Sequence, residues 1–145
     1  MLEYPVGGSS IISLVGCSAV GALVAIRLSD AGHRIHLLDS SIESLDRIPS
    51  GKIESGQIIP IVGDPTSQRD LLKISIQDAE FFMALSDSDT INAFASEIAR
   101  SIFQITHIVC KIDDPTIQET YLSMGIMAIG ATKLISEMAV KPVIG

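Results

Sequence analysis

The residues best suited to chemistry are the glycines of a turn at 16–21 and the acid Asp39. An apolar run at 11–15 predicts a buried strand leading into that turn, and a helix is predicted after it. Asp39 closes a second predicted strand, 34–38, about 20 residues past the turn. Strand, glycine turn, helix, strand and acid in this order predict a βαβ unit that binds a dinucleotide.

Each part of the unit has a physical role. Gly16 allows a sharp turn out of the strand, and Gly21 lets the helix pack close to the sheet. The helix N-terminus offers unpaired N–H groups and a positive dipole end to a phosphate. Asp39 is placed to accept hydrogen bonds from both ribose hydroxyls and to repel a 2′-phosphate, which favours NAD over NADP.

Ser18 departs from the motif, because it stands where the middle glycine is expected. A Cβ there narrows the approach of a phosphate, although the hydroxyl offers a hydrogen bond to one. A glycine motif alone is a weak signal. The alternative is that the glycines only close a tight turn and that the nucleotide site is vestigial.

Composition narrows the class of protein. The 145 residues are 47% hydrophobic, as expected for a sheet buried on both faces. No apolar run has the length of a membrane span, and the N-terminus lacks the features of a signal peptide. The net charge of −7 and the lack of a Lys/Arg cluster argue against nucleic-acid binding.

The metal-binding residue types are scattered. Cys17 and Cys110 have no metal spacing and no clear reason to pair, which favours a reduced, cytoplasmic setting. His33, His36 and His107 stand near predicted strand starts without a cluster of ligands. We therefore expect no metal site.

Alternating strands and helices predict one α/β domain with a Rossmann-like, doubly wound parallel sheet of six strands, order 3-2-1-4-5-6, and helices on both faces. Residues 1–10 are predicted to be a loose leader and 11–141 the nucleotide-binding domain. Later strands are predicted at 57–62, 81–85, 105–112 and 126–129. Pro60 suits an edge strand. Helices are predicted at 22–28, 67–74, 91–102, 116–124 and 132–140.

Between the second and third strands, the prediction is a short helix through residue 48. Ser40 is expected to cap it, with Glu43 as the partner of a capping box, and residues 49–56 are expected to form a loop. Further along, Asp113 and Asp114 precede Pro115, so helix capping is their expected role.

Ligands of such sheets bind at the carboxyl ends of the strands, near the switch between strands one and four. Asp64 and Thr66 are expected to line the adenine side of the cleft, and Ser86 to face the far ribose or phosphate. The plainer reading is that loops are polar anyway. The full candidate set is Gly16, Cys17, Ser18, Ala19, Val20, Gly21, Asp39, Ser40, Gly63, Asp64, Thr66, Leu85, Ser86 and Lys111.

Several segments together resemble one family. They are Val15-Gly16-x-Ser18-x-Val20-Gly21, Gly32-His33-x-Ile35-x-Leu37-Leu38-Asp39, Gly63-Asp64-Pro65-Thr66, Ala84-Leu85-Ser86-Asp87-Ser88-Asp89-Thr90-x-Asn92, Asp113-Asp114-Pro115 and Gly125-Ile126. From residue 11 to about 140 the chain is similar to the potassium-transport nucleotide-binding domain (KTN, or TrkA-N), found in Trk/Ktr regulatory subunits and in the RCK modules of potassium channels.

The resemblance implies a non-catalytic, cytoplasmic regulatory subunit at the inner face of a membrane. It implies binding of NAD or NADH, with ATP, ADP or AMP as alternatives. It also implies a homodimer or a larger ring coupled to a potassium-translocating membrane subunit, without nucleic-acid binding and without insertion into the membrane.

Three departures from the family pattern stand out. Many members carry Gly at the position of Ser18 and a phosphate-pairing Arg at the position of Ala19, and no cation replaces that Arg within the loop. Lys111 stands where members often have Arg, and Lys lacks the bidentate fork. The second, smaller domain that usually follows is not found after the last predicted helix.

Two other functions remain open. One is the cofactor half of an NAD-dependent oxidoreductase, and the other is a ligand-free interaction module. Against catalysis, Ser13, Ser18 and Ser86 lack a local base, and Tyr121 is not followed by Lys four residues on.

Assembly is suggested by apolar side chains that exceed what one sheet face needs. They lie on the predicted helices at 91–102 and 116–124 and, in the last helix, at Leu134, Ile135 and Met138. We expect these helices to meet their own copies in a two-fold dimer.

Overall fold

The computed structural model describes residues 8–145, so most of the predicted leader, residues 1–7, lies outside the described part of the chain. The six strands are β1 (Ile11–Val15), β2 (Arg34–Asp39), β3 (Ile58–Val62), β4 (Phe81–Ala84), β5 (His107–Lys111) and β6 (Met127–Ile129). They form one parallel sheet in the order β3-β2-β1-β4-β5-β6, which confirms the predicted topology.

Within residues 8–145, seven α-helices connect or follow the strands. They are α1 (Ala19–Asp30), α2 (Ile42–Leu45), α3 (Ser50–Glu54), α4 (Gln68–Leu71), α5 (Asp89–Ser101), α6 (Pro115–Ser123) and α7 (Ala131–Ile144). Within the described residues no helix is long and apolar enough to cross a membrane.

The core has two halves because successive strand residues point to opposite faces of the sheet. On one face Leu14 and Leu37 belong to the cluster that contains Ala22 and Ala25 of α1. On the other face Val15, Leu38 and Phe82 belong to the cluster that contains two alanines of α5. These small residues let both helices approach the strands closely, which fixes the helix N-termini at the carboxyl edge of the sheet.

Local differences from the sequence prediction arise at helix ends. The first helix begins at Ala19 rather than at residue 22, because the Ser18 side chain caps it. The cap of α2 is Ser41, not Ser40, and its hydroxyl accepts from Ser44 N at 3.3 Å. The predicted capping box with Glu43 is therefore wrong.

Two connecting segments also differ from their predictions. The predicted loop at 49–56 contains the five-residue helix α3, which follows Pro49. The predicted helix at 67–74 is only one turn of α-helix, α4, followed by a 3-10 turn, Leu72–Ile74. A second 3-10 turn, Ile76–Asp78, follows Ser75, whose φ of 55° breaks the helical path.

The two adjacent acids before α6 cap different helices. Asp114 accepts from Thr116 N at 2.8 Å and so caps α6, as predicted. Asp113 instead accepts from Thr132 N and Thr132 Oγ1, at 3.0 and 2.8 Å, at the start of α7. The backbone hydrogen bond from Thr132 is the main cause that lowers the pKa of Asp113.

Helix α7 differs from the other long helices, since every one of its residues is exposed. Its apolar side chains include Ile135 and Met138, which are 65% and 64% exposed. At the other side of the molecule, β3 is an edge strand, as Pro60 predicts.

Candidate functional site

A cleft of about 240 Å³ lies at the carboxyl edge of the sheet, where the chain leaves β1 and β4. This is the switch point at which connections run in opposite directions, the usual ligand position of such sheets. It is lined by Gly16, Asp39, Ser40, Ser44, Pro65, Ser86, Asp87, Ser88 and Ile91. Four of the predicted site residues, Gly16, Asp39, Ser40 and Ser86, are thus brought together.

The two glycines of the turn are required by close packing. Gly16 has a φ of +96°, and a Cβ on it would lie 2.4 Å from the backbone nitrogen of Ser86. A Cβ on Gly21 would lie 1.9 Å from the carbonyl oxygen of Gly16. Both glycines are therefore explained without a ligand, so they do not by themselves establish nucleotide binding.

The Ser18 side chain is buried and has two partners. Its hydroxyl donates to the carbonyl of Leu85 at 2.6 Å and accepts from Gly21 N at 3.0 Å. Only 5% of the residue is exposed. Ser18 therefore fastens the turn to the end of β4, and its hydroxyl proton is already used by a protein acceptor.

The Asp39 carboxylate joins the turn to the segment after β2. Oδ2 accepts from Cys17 N at 2.8 Å, and Oδ1 accepts from Ser41 N at 2.8 Å. Each carboxylate oxygen has a second lone pair for a further donor. Burial raises the pKa of the Cys17 thiol to about 11, and the charge of Asp39 adds to this shift, so the thiol stays neutral.

Arg47 is a residue of this region that sequence reasoning did not find. Its Nη1 donates to the carbonyl of Cys17 at 2.7 Å, although the two residues are 30 positions apart. Nothing in the spacing of the chain predicts this contact, because the path of α2 sets it.

The Gly63–Thr66 turn is held mainly by its own groups. Asp64 Oδ1 accepts from Thr66 N and Thr66 Oγ1, at 2.8 and 2.7 Å. Asp64 N donates to Asp70 Oδ2 at 2.8 Å, and this bond is the first cause that lowers the pKa of Asp70. Pro65 is the residue of this turn that lines the cleft, while Asp64 and Thr66 bond to each other beside it.

Asn92 is the second residue that the candidate set omitted, although it stands in the quoted Ser86–Asn92 segment. It is fully buried, and its amide donates to the carbonyls of Ser86 and Lys111, both at 2.9 Å. Its carbonyl oxygen accepts from Ser86 N and Ser86 Oγ, at 2.9 and 2.7 Å. Asn92 thereby fixes the Ser86 wall of the cleft.

The remaining candidates have other positions. Ala19 and Val20 are exposed in the first turn of α1, while Cys17 and Leu85 are buried beside the turn. Lys111 ends β5, and two strand spacings separate it from β1. It is not among the residues that line the cleft.

A larger groove of about 680 Å³ lies between α5 and α6. Its lining is mostly apolar, and its residues are Asp89, Thr90, Ala93, Phe94, Glu97, Ile112, Ile117, Thr120, Tyr121 and Met124. Among residues 8–145 no group of three His, Cys, Asp or Glu side chains is placed to hold a metal ion. This groove is thus larger and more apolar than the cleft at the switch point.

Known proteins with similar folds bind nucleotides. The carboxy-terminal domain of Kef from Shewanella denitrificans, in an AMP-bound form, superposes with a TM-score of 0.70 at 20% identity, covering 84% of this chain and 72% of that one. The GsuK channel bound to NAD gives 0.67 at 19% identity, covering 92% and 23%. At such identities these likenesses establish the fold.

Sequence comparison establishes the family. The potassium uptake protein TrkA of the Trk system of Streptomyces coelicolor is 29% identical over 122 residues, 84% of this chain and 53% of that protein. The chain therefore spans about half the length of this relative. The model of the TrkA-N domain matches residues 12–137. The chain belongs to the TrkA-N domain family.

Proposed function

We propose that this chain is the nucleotide-binding regulatory module of a potassium uptake system. The observation that carries the proposal is the polar cleft at the β1/β4 switch point, with Gly16 at its base and the Asp39 carboxylate at its wall. Two further findings support it. The chain belongs to the TrkA-N family, and two structures of the same fold are bound to AMP and to NAD.

The ligand is an adenine nucleotide, with NAD or NADH first and AMP, ADP or ATP as alternatives. The ribose hydroxyls donate to the second lone pairs of Asp39, and the phosphates lie at the N-terminus of α1. Pro65 and Ile91 provide apolar walls for the base, since both line the cleft. Because the carboxylate of Asp39 repels a 2′-phosphate, NADP is expected to bind more weakly than NAD.

Binding serves sensing rather than catalysis. Ser86, one of the four serines that line the cleft, donates its hydroxyl proton to acceptors of the Ser86–Asn92 segment. A nucleophile would need a base in that position. The module acts at the cytoplasmic face of a membrane, where its ligand state is passed to a potassium-translocating subunit.

In this proposal, a homodimer or a ring of modules transmits the ligand state to that subunit. The exposed apolar residues of α7, with the apolar groove between α5 and α6, provide a helix and a surface that lack partners in the described monomer. Exposed patches of this kind mark interfaces in soluble proteins.

A ligand-free interaction module is the second candidate, and two observations favour it. The cleft of about 240 Å³ is smaller than ordinary ligand pockets, which are roughly 300–1,000 Å³. In addition, the N–H of Cys17 and the hydroxyl of Ser18 already have protein acceptors.

Thermal unfolding with AMP, ADP, ATP, NAD, NADH and NADP distinguishes the two candidates. A ligand at 100 times its Kd adds about 2.7 kcal/mol, or roughly 5–10 °C for a domain of this size. Stabilisation by at least one adenine nucleotide, and not by UMP at equal concentration, is expected. No shift with any of them would leave the interaction module as the function.

Asp39→Asn is the matched variant for this experiment. It keeps the size of the side chain and removes the charged acceptor, so nucleotide affinity is expected to fall by about 1.5–3 kcal/mol. Isothermal titration with the nucleotide that stabilises the wild type measures this. Unchanged affinity would place the nucleotide away from the end of β2.

The oxidoreductase alternative has its own assay. Reduced cofactor absorbs at a wavelength where NAD does not, so turnover with a panel of alcohols and aldehydes is followed optically. We expect binding without hydride transfer. Turnover that is lost in Asp39→Asn would make the chain an enzyme.

A further inference from the structure

Arg47 is a cationic residue whose side chain is hydrogen-bonded to the glycine turn. Its Nη1 lies 2.7 Å from the carbonyl oxygen of Cys17, the residue between Gly16 and the α1 cap. Asp39 bonds the N–H of the same Cys17 at 2.8 Å. The guanidinium of Arg47 therefore binds the carbonyl of Cys17, and the carboxylate of Asp39 binds the N–H of the same residue.

The position of Arg47 is fixed by its neighbours in the chain. Leu45 and Ile48 are 7% and 4% exposed and belong to the core on the α1 face of the sheet. The backbone N–H of Arg47 donates to Ser44, a residue that lines the cleft. The base of the side chain is thus anchored, while the residue itself is exposed to solvent.

Most of the guanidinium remains available. It carries five N–H donors. Within residues 8–145, the guanidinium donates one hydrogen bond, to the carbonyl of Cys17, and no carboxylate lies within ion-pair distance of it. A planar group with several free donors matches the geometry of a phosphate.

The cleft needs such a group. Its lining includes the carboxylates of Asp39 and Asp87 and no Lys or Arg side chain, and the first turn of α1 carries no charge. Lys111 lies two strands away from β1. A nucleotide phosphate at the turn would meet helix N–H groups beside two negative charges, and Arg47 is a cation hydrogen-bonded to the turn itself.

We propose that Arg47 is the phosphate-binding arm of this site. It exchanges its bond with the Cys17 carbonyl for charge-assisted hydrogen bonds to the nucleotide phosphates. This role rests on the proposed function. Arg47, which follows β2, would supply the positive charge that the turn lacks because Ala19 stands at the position of the family's arginine.

The experiment compares Arg47→Gln and Arg47→Lys with the wild type, using adenosine, AMP and ADP in calorimetric titrations. Adenosine shares the base and ribose but has no phosphate. We expect Arg47→Gln to weaken ADP binding about tenfold and AMP binding less, and to leave adenosine unchanged. The affinity of Arg47→Lys for ADP should lie between those of the wild type and Arg47→Gln, because lysine keeps the charge but lacks the bidentate geometry of the guanidinium.

Arg27→Gln is the matched control, because it removes the same charge from the last turn of α1, at the opposite end from the turn. It should leave all three affinities unchanged. Thermal unfolding without ligand reports whether Arg47→Gln disturbs the turn itself.

The outcomes separate the two proposals. Equal weakening for adenosine and ADP would make Arg47 a structural clamp of the turn, and unchanged ADP affinity would remove it from the site. Either result overturns this inference while nucleotide binding by the wild type stands. If the wild type binds only NAD or NADH, the same variants are compared with that nucleotide in place of ADP. A wild type that binds none of these ligands overturns the proposed function, and this role with it.

Discussion

At the scale of single residues, Ser18 shows how a departure from a motif acquires a structural role. Its hydroxyl caps α1 and bonds the carbonyl of Leu85. The hydroxyl of Ser18 thus has a structural role in the turn. The steric effect of its Cβ on a phosphate stays a prediction.

Ser18→Gly is expected to destabilise the fold rather than improve the site. The variant leaves the Leu85 carbonyl without its donor, at a cost of about 1–3 kcal/mol, while glycine itself is a tolerable cap. Urea denaturation measures the loss, and titration with ADP should show affinity within about twofold of the wild type. A clear gain in affinity would restore the steric account.

His36 makes the stability of the fold depend on pH. Burial lowers its pKa below 6.5, with a further contribution from the charge of Arg34, and its Nδ1 lies 3.3 Å from Ser75 Oγ. The unfolded chain then binds a proton more readily than the folded chain. Stability from this group is complete above pH 6.5 and is lost as the pH falls toward the folded value.

His36→Gln should flatten this dependence. Glutamine does not titrate and retains a polar group opposite Ser75. The free energy of unfolding of the wild type, measured by urea between pH 7.5 and 5, is expected to decline more steeply than that of the variant. Parallel curves would show that another group is responsible.

The sequence predicts residues whose neighbours are near in the chain or fixed by the βαβ pattern. Gly16 and Asp39 belong to that pattern, and both line the cleft. Arg47 was not predictable, because its contact with Cys17 depends on the exit path of the chain after β2. Likewise, Ser40 and Ser41 are equally good caps by type, and only the backbone geometry selects Ser41.

At the scale of elements, Asn92 connects α5 to the ends of β4 and β5. Its four hydrogen bonds are made by one fully buried amide. Asn92→Ala leaves the carbonyl of Lys111 and the N–H of Ser86 unpaired and is expected to cost about 3 kcal/mol.

Chemical denaturation with Ser101→Ala as the control tests this. Ser101 is exposed on the same helix, so its replacement should change stability by less than about 0.5 kcal/mol. Nucleotide affinity should also fall in Asn92→Ala, since Ser86 loses its support. A loss below 1 kcal/mol would mean that water replaces the amide.

The six strands and their order were predictable because each strand is an apolar run bounded by turn residues. The short helices were not, for a different reason. Segments such as Ser50–Glu54 have weak intrinsic helical preference and fold because their neighbours are packed. Local propensity is overridden there by tertiary contacts.

At the scale of the whole molecule, α7 has no residue that is buried against the rest of the described domain. An exposed 14-residue helix that carries Leu134, Ile135 and Met138 is at most marginally stable alone in water, since isolated helices of this length are marginal. In the proposed dimer, a second copy of the chain covers this helix.

The double variant Ile135→Glu/Met138→Glu tests the dimer. Both positions are about two-thirds exposed, and a carboxylate at each would be unfavourable in an apolar interface. At micromolar concentration the wild type is expected to sediment as a dimer and the variant as a 15.4 kDa monomer. Ile42→Glu, which changes a 68% exposed residue on α2, should remain a dimer. A monomeric wild type would contradict the proposal.

Pro60 affects whether the edge strand β3 can pair with a strand of another molecule at high protein concentration. Gly63 N donates to β2 and Gln57 O accepts from it, so by alternation the nitrogen of Pro60 faces the outer side of β3. A strand from another molecule that docked there would meet no donor at the middle of the edge. The ring of one proline thus opposes edge-to-edge pairing of β3 between molecules, and this edge is a poor surface for association beside the helices of the proposed dimer.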